Sequence, residues 1–134
     1  MLARREYSRL ELHNKLSSIG AEQTDVRHIL DEFEEKGWIS EQRFVDAVVR
    51  TRRSRFGASR VLRELRDKGV SEDGVARARG VLAEHELDAA REVWRKKFLE
   101  KPLSLADRAK QARFLSGRGF SQDVVRKVLD WSDD

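Results

Sequence analysis

The sequence predicts an all-α fold, and three observations carry this prediction. Apolar residues recur at spacings of three and four along most of the chain, as at Phe44, Val45, Val48 and Val49. One proline and eight glycines supply little turn chemistry for a protein built of strands. Serine precedes and glycine follows many periodic segments, as helix caps do. We therefore expect eight helices, near residues 8–18, 22–36, 40–54, 58–68, 71–84, 86–99, 103–116 and 121–131.

Capping residues delimit these helices in chain order. Ser8 and Glu11 have the spacing of a capping box, in which a side chain and the backbone bond reciprocally at a helix start. The other predicted N-caps are Ser40, Ser71, Ser104 and Ser121. The predicted left-handed C-caps are Gly20, Gly37, Gly69 and Gly119. The first two apolar stripes between these limits are Leu10, Leu12, Leu16 and Ile19, then Val26, Ile29, Leu30 and Phe33.

The chain also repeats itself. The segments 8–20, 57–69 and 107–119 each end in a glycine, and each carries a leucine four residues before that glycine. The segments begin 49 and 50 residues apart, which predicts tandem three-helix repeats of about 50 residues. We expect an elongated, curved array in which each unit buries its apolar stripe on its neighbours. The alternative is a compact eight-helix bundle in which the spacing is coincidental.

The repeats suggest a division of the chain into residues 1–39, 40–85 and 86–134. The first repeat lacks most of its leading helix, because only a short remnant from Leu2 to Glu6 precedes Ser8. The total of 134 residues is otherwise the length of one domain. Apolar and charged residues each make up 39% of the chain, a composition that favours a folded soluble protein with a small core and a highly charged surface.

The sequence offers no constellation typical of an enzyme. It has no cysteine, and its histidines, His13, His28 and His85, stand at no metal-ligand spacing. The glycines on either side of Arg118 end a helix instead of joining a strand to one, so they form no phosphate loop. We expect no catalytic residue, no metal and no cofactor. We also expect no membrane span, no signal peptide and a cytoplasmic location.

Charge is distributed unevenly along the chain. Residues 1–46 hold 7 basic and 10 acidic residues, residues 47–79 hold 10 and 4, and residues 80–134 hold 11 and 10. The stretch 47–63 contains six arginines and no acid. The planar guanidinium suits phosphate and carboxylate groups, and a basic stripe is typical of nucleic-acid binding. The candidate partner- or DNA-binding residues are Arg50, Arg53, Arg55, Arg60, Arg63 and Lys68.

A purely structural role for these arginines is the alternative. Acidic residues stand four positions after two of them, in the pairs Arg60–Glu64 and Arg63–Asp67, each worth about 0.2–0.5 kcal/mol. Arg52 falls on the apolar side of its helix, so we expect its stem to pack or its head to pair with a carboxylate. Arg50, Arg53 and Arg55 are the better candidates for binding.

The aromatic residues predict packing and no platform for stacking bases. Phe33, Phe44, Phe56, Phe98 and Phe114 mostly lie on apolar stripes. The tryptophans stand at helix ends, where core or inter-unit packing is expected of Trp38, Trp94 and Trp131. No recognition helix with a helix-turn-helix signature is visible.

Five segments of the chain resemble, in order and spacing, those of the RecX family of bacterial regulators of the RecA recombinase. They run from Leu2 to Leu16, Glu35 to Phe44, Arg50 to Gly57, Arg60 to Val70 and Arg113 to Phe120. The resemblance covers nearly the whole chain, and the middle segment is its most specific part. In two respects the chain departs from the family pattern: the leading helix is nearly absent, and Ala58 replaces the usual proline after the central glycine.

The resemblance implies a non-enzymatic array of three-helix repeats that lies in the groove of the RecA–single-stranded DNA filament. It further implies inhibition of filament growth, ATP hydrolysis, strand exchange and repressor co-cleavage, and so a role in recombination, DNA repair and the SOS response. The partners expected are the RecA filament and DNA phosphate, and the chain is expected to be a monomer. Two other hypotheses remain: a non-specific nucleic-acid-binding protein without a recombinase partner, and a structural scaffold.

Overall fold

The computed structural model of the protein describes residues 5–130, and every regular element in that range is an α-helix. The seven helices are α1 (Arg9–Ser18), α2 (Gln23–Glu35), α3 (Glu41–Arg52), α4 (Ala58–Asp67), α5 (Glu72–Lys97), α6 (Leu105–Gly117) and α7 (Gln122–Asp130). The all-α prediction is therefore confirmed. Trp131 and the remnant at residues 2–4 lie outside the described range, and residues 5–7 precede α1 without helical structure.

The prediction of separate helices at 71–84 and 86–99 is wrong. One helix, α5, runs through the expected break at His85 and has 26 residues, which makes it about 39 Å long. The reason is local: residues 81–97 contain no glycine or proline to end the helix. The expected repeat boundary at residue 85 consequently falls inside a continuous helix.

All five serines predicted as N-caps do cap a helix. Ser8 and Glu11 form the capping box of α1. Ser40, Ser71, Ser104 and Ser121 each accept a hydrogen bond from a backbone N–H three residues later. The four glycines predicted as C-caps all have positive φ, between 72° and 94°, the left-handed conformation that favours glycine.

Buried apolar side chains form three separate clusters. The first joins α1 and α2 around Leu12, Val26 and Leu30. The second joins α3 and α4 to the first part of α5, and includes Leu65 and Val75. The last part of α5 packs with α6 and α7 in the third cluster. Because α5 contributes to two clusters, it connects the second and third cores. We call the helices around the three clusters the first, second and third helical groups, in chain order.

Backbone glycines make close contacts between neighbouring groups of helices. The N–H of Gly57, at the start of α4, donates to the carbonyl oxygen of Arg118 at 2.8 Å. The Ser59 hydroxyl donates to the carbonyl oxygen of Gly119 at 2.7 Å. In the same way Gly69, after α4, lies against the side chain of Leu10 in α1. The end of α6 thus contacts the start of α4, and the end of α4 contacts α1.

Two tryptophans have different environments. Trp94 is buried, as expected, and its indole N–H donates to Gln111 Oε1 at 2.8 Å. For Trp38, where core or inter-unit packing was expected, half of the residue is exposed. Its ring packs against that of Phe33, with 5.3 Å between the ring centroids, and Lys36 Nζ lies 4.7 Å from the Trp38 ring centroid.

Candidate functional site

Arg50 and Arg53 lie on the wall of a cleft between α3 and α5, which we call the α3–α5 cleft. Its volume is about 410 Å³, and Arg77 of α5 lines it together with them. Val45, Val49 and Val81 form the apolar floor, and Asp46 is the acidic residue in the lining. None of the three arginines has an ion pair within residues 5–130. The cleft therefore combines an apolar base with three cations available to a partner.

Arg52 behaves as its position on the apolar side predicts. Its Nε donates to Glu64 Oε1 of α4 at 3.1 Å. The two pairs along α4 that the structural alternative requires, Arg60–Glu64 and Arg63–Asp67, are not formed in the described part of the chain. Glu64 pairs with Arg52 instead. The arginines of α4 are thus not neutralised by their own helix.

Arg60 and Arg63 face a groove between α4 and the end of α6, the α4–α6 groove, with a volume of about 780 Å³. Arg60 Nη1 donates to the carbonyl oxygen of Gly117 at 3.2 Å, and its guanidinium lies 4.3 Å from the centroid of the Phe56 ring. Arg63 is exposed. Lys68 lines the same groove, so three candidates share this surface.

Lys68 also has a structural partner. Its Nζ lies 3.2 Å from Glu11 Oε2, and Arg5 approaches the same oxygen at 2.8 Å. Burial raises the pKa of the Glu11 carboxyl, but hydrogen bonds from the Ser8 N–H, Arg5 and Lys68 outweigh burial and lower that pKa below its usual value. Lys68 therefore ties the end of α4 to α1.

Arg55 lies in a third cleft, between the α3–α4 turn and the helices α5 and α6, which we call the junction cleft. The cations that line it are Arg55, Lys96, Lys97 and Arg118, and its volume is about 400 Å³. Ser54 and the ring of Phe114 complete much of the wall. Arg118 Nη1 donates to the carbonyl oxygen of Arg55 at 3.2 Å, which couples the two basic segments.

The six candidate residues do not form one continuous site. Arg50 and Arg53 lie in the α3–α5 cleft, Arg55 in the junction cleft, and the other three around the α4–α6 groove. A further cleft beside Phe56 is lined by both Arg55 and Arg60. Sequence reasoning missed Arg77, Lys96, Lys97 and Arg118, which helical packing brings to these clefts. A signal for Arg118 was present, since it precedes Gly119 as Lys68 precedes Gly69 in the repeat.

Within the described range of 5–130 no group of three His, Asp or Glu residues could hold a metal ion. None of the helices there is long and apolar enough to cross a lipid bilayer. Arginines on apolar or aromatic walls line two of these clefts.

Family comparisons agree with the helical repeats. The second three-helix domain of RecX matches residues 40–78, and the third three-helix domain of RecX matches residues 84–129. The two matches together span more than half of the chain.

The chain belongs to the RecX family. A regulatory protein RecX from Leptothrix cholodnii is 42% identical over 132 residues, which are 98% of this chain and 84% of that relative. Regulatory protein RecX from Ralstonia nicotianae is 37% identical over 98% of this chain and 83% of its own length. The resemblance in the sequence segments is thereby confirmed.

Solved RecX structures share the fold. RecX from Lactobacillus salivarius superposes with a TM-score of 0.82 at 18% identity, covering 96% of this chain and 89% of that one. A second crystal structure of a regulatory protein RecX gives the same TM-score at 22% identity, over 97% and 68% of the two chains. The fold is therefore retained across RecX proteins of low sequence identity.

Proposed function

We propose that this RecX protein is a non-enzymatic inhibitor of RecA that binds in the groove of the RecA–single-stranded DNA filament. In this proposal it limits filament growth and thereby ATP hydrolysis, strand exchange and repressor co-cleavage. The observation that carries the proposal is its similarity, over nearly its whole length, to relatives named regulatory protein RecX. The chain acts in the cytoplasm as a monomer.

Surface chemistry supports an elongated contact with such a filament. Cationic clefts occur on the second helical group and at its border with the third, while residues 1–46 carry an excess of acid. A surface with regions of both signs suits a groove lined by protein and phosphate. The binding residues in this proposal are Arg50, Arg53, Arg55, Arg60, Arg63 and Lys68. The three apolar cores support a division into units 1–39, 40–85 and 86–134.

The second candidate function is non-specific nucleic-acid binding without RecA. It is favoured by the lack of ion pairs at Arg50, Arg53 and Arg63 within residues 5–130, because unpaired guanidinium groups attract phosphate of any sequence. Its affinity for bare DNA would fall steeply with salt, since each phosphate contact releases condensed counterions.

One binding experiment separates the two functions. The protein is titrated against a labelled single strand, once bare and once coated with RecA in the presence of a slowly hydrolysed ATP analogue. The RecA proposal predicts tighter binding to the coated strand at physiological salt. Equal or weaker binding to the coated strand would favour the second function and overturn the first.

A further inference from the structure

The two borders between helical groups are built on equivalent residues with opposite electrostatics. Glu11 and Arg60 each stand three positions after the start of a repeat segment, and Lys68 and Arg118 each precede its final glycine. At the first border Lys68 forms an ion pair with Glu11. At the second border the equivalent residues, Arg60 and Arg118, are both cations.

The two cations at the second border share one aromatic ring. The guanidinium of Arg60 lies 4.3 Å from the Phe56 centroid, and that of Arg118 lies 5.5 Å from it. Arg55 lies over the same ring at 5.6 Å. An aromatic face attracts cations only modestly, so it offsets little of the repulsion among three guanidinium groups.

Two lysines add to this charge in the junction cleft. Lys96 and Lys97 line it from the end of α5, and Lys97 Nζ lies 5.6 Å from the Phe114 centroid, with Arg118 over that ring at 5.3 Å. None of the cleft's four cations forms an ion pair with a carboxylate of residues 5–130.

Neighbouring carboxylates are engaged elsewhere. Glu64, one helical turn after Arg60, pairs with Arg52. Glu92, one turn before Lys96, pairs with Arg95. Four cations and the Ser54 hydroxyl thus surround a cleft of about 400 Å³ whose lining contains no acid. A concentration of one sign of charge in a cleft with apolar walls attracts a counter-ion.

We propose that the junction cleft is a phosphate-binding site in which the anion pairs with Arg118, the counterpart of the Lys68 that pairs with Glu11 at the first border. Arginine forks and lysine ammonium groups are the usual ligands of phosphate oxygens. A bound phosphate bridges Arg55 in the α3–α4 turn to Lys96, Lys97 and Arg118 of the third helical group. Occupancy therefore holds the second and third groups together. The site requires no RecA but shares Arg55 with the proposed filament contact; a test without RecA therefore keeps its failure distinguishable from failure of the proposed function.

The test is a titration of the full chain, without RecA, followed by the shifts of its backbone amide signals in NMR spectra. One arm uses inorganic phosphate and the other a short oligothymidylate, both at an ionic strength kept constant with chloride. The proposal expects saturable shifts at residues 53–57, 93–98 and 114–119 with at least one probe. Saturation by phosphate alone identifies a free phosphate group as the ligand, and saturation by the oligonucleotide alone identifies the nucleic-acid backbone.

Paired charge reversals locate the site. Lys96→Glu with Lys97→Glu removes two ligands, and we expect the dissociation constant to rise about tenfold or more, because hydrogen bonds to charged groups are strong. The control, Arg79→Glu with Lys110→Glu, makes the same change in net charge at exposed residues outside the cleft. Lys96→Gln with Lys97→Gln repeats the loss without reversing charge. No saturable shift with either probe, or equal weakening in the cleft and control variants, would overturn the proposal.

Discussion

The N–H of Gly57 donates to the carbonyl oxygen of Arg118 at 2.8 Å, which brings the start of α4 against the end of α6. The two residues are 61 positions apart in the sequence. A Cβ atom on Gly57 would overlap the backbone of Gly119. Although Gly57 has an ordinary φ of −77°, the close approach of two backbones permits no larger residue there.

Substitution of this glycine should weaken the border between the second and third groups. We expect Gly57→Ala to destabilise the protein by about 1–3 kcal/mol, the usual cost of forcing a methyl group into packed structure. The matched control is Gly80→Ala in α5, where the new Cβ meets nothing within 4 Å and helix propensity predicts a gain of about 0.5–1 kcal/mol. Urea unfolding of both variants measures these opposite signs; equal effects would contradict the close contact.

Glu11 makes stability depend on pH. Its pKa is lowered in the folded protein, so the stabilisation is fully present above the ordinary glutamate pKa of about 4.3 and is lost as pH falls through the folded value. Glu11→Gln should therefore flatten the acid side of the stability profile. Urea melts across that pH range test this, with the exposed Glu35→Gln on α2 as control. If Glu35→Gln flattened the stability profile as much as Glu11→Gln, the assignment of this pH dependence to Glu11 would be refuted.

The buried Trp94–Gln111 hydrogen bond anchors the third core. Gln111 also donates from Nε2 to the carbonyl oxygen of Glu100 at 3.2 Å. One side chain thus accepts from the indole N–H and donates to a backbone carbonyl that follows α5. Gln111→Leu leaves a buried indole N–H without its acceptor and should cost about 1–3 kcal/mol. Denaturant unfolding followed by tryptophan fluorescence measures the loss. The exposed Gln122→Leu should be near neutral, and a wild-type midpoint for Gln111→Leu would show that this bond is unimportant.

Arg50 and Arg53 are predicted to bind the partner without supporting the fold. The double reversal Arg50→Glu with Arg53→Glu should leave the helical circular-dichroism signal and melting temperature close to wild type, because neither arginine has an ion pair within residues 5–130. Binding to the RecA-coated strand should weaken about tenfold or more, since two favourable contacts become repulsive. Arg27→Glu with Arg79→Glu, at exposed positions outside the three clefts, is the control. Unchanged binding in the first variant would leave these arginines without the proposed role.

Local signals explain why most of the fold was predictable. A serine at the helix start and a glycine in the left-handed region at its end act within a few residues, so Ser40 and Gly69 could be recognised from the chain alone. The break expected near His85 has no such signal, because no glycine or proline interrupts residues 81–97. The repeat pattern suggested separate helices there, and helix propensity continued α5 instead.

The candidate site was predictable only in part, for a physical reason. The arginines from Arg50 to Arg63 are close in sequence, so their charge density is visible without a structure. Arg77 and Arg118 reach the same clefts through packing of α5 and α6 against α3 and α4, contacts that no local pattern encodes. The pairing of Arg52 with Glu64 likewise joins two helices, and it removes the carboxylate expected for Arg60.

Inhibition of RecA is the central claim, and RecA's ATP hydrolysis on single-stranded DNA tests it most directly. The protein is added in substoichiometric amounts to RecA at physiological salt, with the Arg50→Glu and Arg53→Glu double variant run in parallel. We predict that the hydrolysis rate falls as wild-type protein is added and falls less with the variant. An unchanged rate with the wild-type protein would contradict the account.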